Sequence, residues 1–139
     1  MLISDHKKAR NISFLIIQIV FGIRLIYGTI DNVLSWQRML EFSDFLEGNG
    51  FPFPLESAII SVWLQFLCGI SWIIGFKVKW TAATMALNFL VAVVFVHLIN
   101  GDTYLQTAPA LHLLVVSVVL MLTGGSEYGL RSIIGENRK

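Results

Sequence analysis

Between Ile12 and Leu34 the only residues that are neither apolar nor glycine are Ser13, Gln18, Arg24, Thr29, Asp31 and Asn32. A run of about 20 apolar residues is long enough to cross the hydrocarbon core of a bilayer. Three further apolar runs follow it, so the spans are expected at about residues 11–35, 55–76, 80–99 and 108–123. Only 14% of the chain is charged, against about 25% in soluble domains. In hydrocarbon every backbone N–H and C=O must be paired within the segment or around a closed barrel. Runs of this length with no alternation therefore predict an all-α chain, an integral membrane four-helix bundle of one domain. The last run is the shortest, about 24 Å at 1.5 Å per residue, so it extends at either end or the bilayer thins around it. Lys7, Lys8 and Arg10 before the first run superficially resemble a signal peptide. The run is too long for a signal h-region and no small-residue cleavage site follows, which predicts a retained span.

The connections carry their own patterns. In 36–47, Trp36, Met39, Leu40, Phe42, Phe45 and Leu46 alternate with Arg38, Glu41, Asp44 and Glu47 at helical spacing. That predicts a short amphipathic helix between spans one and two, lying in the membrane interface. Gly48-Asn49-Gly50 ends it, and Pro54 suits the first turn of the next helix. Lys77-Val78-Lys79 and Asn100-Gly101-Asp102 read as turns. Gly124-Gly125 stops the last span. Four spans place both termini on one side. That side holds Lys7, Lys8, Arg10, Lys77, Lys79, Arg131, Arg138 and Lys139, whereas the opposite loops hold Arg38. The positive-inside rule then predicts an inner-membrane, multi-pass protein with both termini cytoplasmic. Trp36, Trp80, Tyr104 and Tyr128 fall near span ends, as an aromatic belt does.

Function classes are excluded more readily than assigned. The net charge of +1 offers nothing to nucleic acid, and a single cysteine, Cys68, excludes an internal disulfide or dithiol pair. No zinc spacing, P-loop or H-E-x-x-H is present, and no metal site or cofactor of the chain's own is expected. Cys68 reads as a packing residue. The informative residues are the polar ones within the spans. A cation near mid-bilayer costs about 2.5–3.5 kcal/mol on insertion scales, and Arg24 occupies the middle of the first run. Gln65, near the middle of the second, shares its depth and could accept from the guanidinium. Asp31 lies seven residues beyond Arg24 on the same face, roughly 10 Å further along. With Asn32, Glu56, His97 and His112 it forms an expected outer polar cluster. Asn88 lies nine residues from His97, about 180° around an α-helix, so the two should not serve one site. Arg24 with Gln65 or Asp31 is either a register-fixing pair or a ligand site. His97 and His112 are either hydrogen-bonded interfacial residues or part of that site.

With these residues in hand, the chain resembles the DoxX family of small four-span bacterial membrane proteins over roughly residues 19–132. Arg24 and Gly28 match that family's Arg followed by Gly four residues on. Gly50-Phe51-Pro52-Phe53-Pro54 matches its G-x-P-x-P-like turn, and Gln65, Cys68-Gly69 and Gly75 before Lys77 and Lys79 follow its second-span pattern. Gly124-Gly125, Tyr128 and Leu130 match its closing segment. The chain departs from the family at Gln65, where a Glu is usual, at Cys68, where a Gly is usual, and at Arg131, where an Asp is usual. An Arg–Glu ion pair thus becomes an Arg24–Gln65 hydrogen bond. The resemblance implies association with membrane redox complexes, including a subunit similar to part of a thiosulfate:quinone oxidoreductase, and it supplies no catalytic set. The expected function is an accessory or quinone- or lipid-proximal subunit of a membrane redox or stress-response system. It is at most a subunit of an oxidoreductase complex. Arg24, Gln65, Asp31, His97 and His112 would bind a quinone or lipid head group, with membrane lipids and other membrane or redox subunits as partners. Two competitors stay open: a non-enzymatic scaffold whose Arg24–Gln65 pair is structural, and a carrier of a small lipophilic solute.

Overall fold

The computed structural model describes residues 2–129. They form α1 (Leu2–Tyr27), α2 (Ile30–Leu34), α3 (Trp36–Gly48), α4 (Pro54–Ile74), α5 (Val78–Val91) and α6 (Tyr104–Thr123), and α5 continues into a π-helical segment, Ala92–Leu98. Among the described residues there is no strand. Four helices are long and apolar enough to cross a membrane: Asp5–Tyr27 within α1, α4, Val78–Leu98 and α6.

The ends of these helices follow from local chemistry. Pro54 opens α4, where its missing N–H removes no intrahelical bond. Gly75 closes α4 at φ 72°, returning its N–H to Ser71 and Trp72, a left-handed geometry that glycine adopts without a Cβ penalty. Thr103 and Gln106 form a capping box that starts α6 at Tyr104, four residues before the expected boundary. The Ser35 hydroxyl accepts from the Arg38 N–H and caps α3.

The first apolar run is not one helix. α1 begins at Leu2, nine residues before the expected span, and ends at Tyr27; after Gly28-Thr29 the chain resumes as α2. Thr29 is buried and its hydroxyl donates to the Leu25 carbonyl at 2.8 Å, a back-bond that bends helices.

α1 packs antiparallel along α4, α4 along α5, and α5 along α6. The buried stripe on α1 is Asn11, Gln18, Gly22 and Leu25, continued by Thr29, a spacing that faces one neighbour. Gly22 meets Gly69 so closely that a Cβ on either would stand 2.8 Å from the other's carbonyl oxygen. Such small residues let membrane helices approach. The main core gathers Leu25, Cys68, Trp72, Met85, Phe89, Leu113 and Leu120. A second cluster joins Met39 and Leu46 of α3 to Ala58 and Val62 of α4 and Val96 of the π segment. The bundle thus has a basic end, with Arg10, Lys77 and Lys79 around one depression, and an opposite end built by α2, α3 and the loop after the π segment.

Candidate functional site

A pocket of about 390 Å³ opens between α3, α4 and α5 in the half of the bundle near α3. Its walls are mostly apolar, from Phe42, Phe45 and Phe51 on one side to Ile60, Leu64 and Leu87 on the other. Ile60, Leu87 and Phe45 are exposed, so the pocket opens on the outside of the bundle. The polar groups in its lining include Ser61, Asn88 and His97. α3 closes one wall, and the loop that follows it is tied in twice. Phe51 stands edge-on to Phe95 at 6.5 Å, and Asn100 donates to the Asn49 side chain.

Gln65 is about one turn deeper than Ser61 on α4 and donates to the Ser61 hydroxyl at 3.0 Å. Ser61 in turn donates to the Asn88 amide oxygen at 2.9 Å. The chain of bonds ends on Asn88, whose amide N–H groups have no partner among the described residues. His97 reaches the same pocket although the α-helical count from Asn88 puts it on the opposite face. The π segment is the reason. Its i→i+5 bonding widens the turn, so each residue advances by less than the roughly 100° of an α-helix, and His97 swings back toward Asn88. The expectation that the two could not share a site is therefore corrected.

The turn after the π segment, with Gly101 at φ 68°, brings Asp102 back onto His97. The Asp102 N–H donates to the His97 carbonyl at 3.0 Å, and the two side chains meet at 2.7 Å, Nδ1 to Oδ2. The side chains of His97 and Asp102 are 19% and 24% exposed, so the pair is largely enclosed. A carboxylate accepts only, which places the proton on Nδ1 and leaves Nε2 as an acceptor while the ring is neutral.

The other expected site residues lie elsewhere. Gln18 bonds the Trp72 carbonyl and Gly22 meets Gly69. This antiparallel register sets Arg24 near the level of Leu67, about 10 Å inside the basic end of α4 and close in height to Gln65. The two share a height but not a face. Arg24 is exposed on the side of α1 turned away from the bundle, Gln65 is occupied by Ser61, and the guanidinium makes no hydrogen bond or ion pair among the described residues. The expected Arg24–Gln65 bond is absent because the buried stripe of α1 runs through Gly22 and Leu25, which turns Arg24 outward. Asp31, Glu56 and His112 are exposed. His112 lies 3.5 Å from the Tyr104 hydroxyl, and Asn32 donates to the Arg38 carbonyl. The outer cluster is thus dispersed, and His97 alone of its members lines the pocket.

A second polar assembly, at the basic end, has no counterpart among the expected sites. Gly124 and Gly125, at φ 77° and 79°, turn the chain after α6 back along α1. There the buried Gln18 accepts from the Ser126 N–H, and Ser126 donates to the Asn11 carbonyl at 2.8 Å. The Asn11 amide exchanges bonds with Glu127 at 3.2 and 3.3 Å. Lys7 pairs with Glu127 at 3.3 Å. Hydrogen bonds from Asn11 and Lys7 and the charge of Lys7 hold the Glu127 carboxyl below its ordinary value. The signal for this latch was the recurrence of Asn11 and Gln18 seven residues apart on the stripe that packs inward.

Among the described residues no group of three or more His, Cys, Asp or Glu could hold a metal ion. Cys68 is buried in the core. Comparison with curated proteins and with solved structures gives no match of significance. A profile of the DoxX family matches residues 13–98, which takes in the Arg24–Gly28 pair, the Gly50–Pro54 turn and the wall residues of the pocket up to His97. Gly124, Gly125 and Tyr128 fall beyond that match, and Leu130, Arg131, Ser132, Arg138 and Lys139 lie outside the described residues. With more than half of the chain matched and four helices able to cross a bilayer, this is a multi-pass membrane protein of the DoxX family.

Proposed function

We propose that this chain holds the head group of a lipophilic molecule, a quinone or a lipid, in the pocket between α3, α4 and α5. In that role it serves as an accessory subunit of a membrane redox or stress-response system. The observation that carries this reading is the pocket itself. Its volume of about 390 Å³ falls in the roughly 300–1,000 Å³ range of small-molecule sites. It is apolar, opens toward the bilayer and contains a few convergent polar groups. The Asn88 amide N–H is available to a carbonyl oxygen. His97 Nε2, with Nδ1 committed to Asp102, is available to a hydroxyl. A quinone presents the first and its reduced form the second. No redox group of the chain's own enters this role; electrons would come from a partner subunit.

The protein would lie in the inner membrane with both termini cytoplasmic and α3 in the opposite interface, since Lys7, Arg10, Lys77 and Lys79 gather at the basic end. Exposed Trp36, Trp80, Tyr104 and Tyr128 support that placement. A carrier is disfavoured because Trp72, Met85 and Leu120, each 0% exposed, close the core toward the basic end.

The test is the quinone and phospholipid content of detergent-purified wild type and of Asn88→Leu and His97→Phe. Loss of one bound species in both variants, with helicity unchanged, is the expected result. Equal retention in folded variants rejects the pocket as the site.

A further inference from the structure

α1 and α2 leave one face uncovered. Ile16, Val20, Ile23, Tyr27 and Leu34 are exposed along it, and the two charges on the same face are Arg24 and Asp31. The opposite face, Gln18, Gly22, Leu25 and Thr29, is buried, so both charges point away from the bundle. An apolar face on a membrane helix is ordinarily covered by lipid. A guanidinium at this height is not, because hydrocarbon offers it no acceptor and intramembrane cations pair with an opposite charge or face water.

Among the described residues no carboxylate pairs with Arg24. Glu127 is engaged by Lys7, Asp102 by His97 and Glu41 by Arg38. Among the described residues Asp31 makes no ion pair, and its carboxylate accepts from the neighbouring Asn32 N–H. Arg24 and Asp31 are thus two opposite charges without an ion-pair partner among the described residues, seven residues apart on one exposed face. The rise between them is about 10 Å, and the Arg24 side chain already covers part of it. Its Nη1 lies beside Gly28, 2.8 Å from where a Cβ on that glycine would stand, one turn nearer Asp31.

We propose that a second copy of this chain covers this face, with Arg24 of each copy paired to Asp31 of the other. The two copies insert in the same direction, related by a two-fold axis along the bundle. Such an interface is isologous: the same patch meets itself, and each cation–anion contact occurs twice. Gly28 adds no side chain to the seam, so the crossing guanidinium has room. The proposal is independent of the pocket, which lies between α3, α4 and α5.

Complementary charge variants test it. Arg24→Asp leaves two anions on the face and Asp31→Arg leaves two cations, so each variant should repel itself. Mixed, they restore both pairs. Wild type and variants are co-expressed with two different affinity tags, purified in mild detergent and scored for co-purification of the second tag, with circular dichroism checking helicity. The expected result is that wild type co-purifies, each variant alone falls by about tenfold or more, and the mixed variants recover to near the wild-type level. An internal Arg24–Asp31 pair would give no such recovery between chains. Wild-type protein monomeric by light scattering, or mixed variants that associate no better than either alone, would overturn the proposal and leave lipid or another subunit as the cover.

Discussion

The Arg24 guanidinium lies along Gly28, so close that a Cβ on the glycine would stand 2.8 Å from Nη1. The glycine four residues on therefore clears a track on the surface of α1. An arginine in that track extends along the helix toward the α3 end of the bundle instead of standing straight out into lipid, as long basic side chains do near helix ends. Gly28→Ala meets first the flexible end of the Arg24 side chain, with the Arg24 carbonyl oxygen next at 3.3 Å, and its effect on thermal stability in detergent should be small, about 0.5 kcal/mol. Gly28→Leu blocks the track. It should lower membrane-inserted yield well below that of Gly28→Ala, and Arg24→Leu in the same chain should restore it.

The Gly22–Gly69 contact differs in kind, because a new side chain would meet the facing backbone carbonyl oxygen at 2.8 Å, besides the Ile73 or Ile26 side chain. That carbonyl cannot move aside without separating α1 from α4. Gly22→Val or Gly69→Val should destabilise by about 1–3 kcal/mol or more through overpacking. Thermal unfolding followed by circular dichroism would show it, and Gly48→Ala, with nothing within 4 Å of its Cβ position, serves as the control.

Gln18 joins three elements, donating to the Trp72 carbonyl and accepting from Ser126. It is fully buried, so Gln18→Leu strands those backbone groups. The expected loss is about 1–3 kcal/mol. Hydrogen exchange should place it in residues 124–127 and the end of α4, with α3 unchanged.

The latch at Glu127 should also respond to pH. Its carboxyl is held below the ordinary value, so the folded state favours the charged form. That contribution is complete above the unfolded carboxylate value, about 4.3 for Glu, and is lost as pH falls through the lowered folded value. Amide exchange at Ser126 and Glu127, corrected for its intrinsic pH dependence, should therefore quicken in acid but stay flat from pH 6 to 8. Glu127→Gln should remove the acid response, and raised salt should weaken the latch at neutral pH because the Lys7 pair is exposed.

Asn88 separates a binding pocket from a self-contained polar pair. Interhelical hydrogen bonds of this kind average about 0.6 kcal/mol in membrane proteins. Asn88→Leu should thus shift stability only slightly. If the Ser61–Asn88 bond is there only for assembly, that small shift is its whole effect. If the pocket holds a head group, ligand retention falls by a much larger factor than stability does.

Much of the fold was legible in single residues and runs. Four apolar stretches sufficed for four helices, since a backbone in hydrocarbon has few ways to satisfy itself. Gly48-Asn49-Gly50, Pro54 and Gly124 marked real boundaries because each acts through its own backbone geometry. Even the shared height of Arg24 and Gln65 followed from counting along antiparallel helices. Facing did not follow. Which side of α1 turns inward was decided by where Gly22 and Gly69 permit close approach, a contact between segments 47 residues apart, and that choice sent Arg24 outward and left Gln65 to Ser61. His97 depended on helix type as well as on packing. An α-helical count put it opposite Asn88, and the π turn, read from no single residue, rotated it into the same pocket. The sequence by itself determined a four-helix membrane protein and the heights of its polar groups, because hydropathy and rise per residue are local quantities. Only the tertiary structure decided which of those groups meet, because rotation about a helix axis is set by the neighbour it packs against.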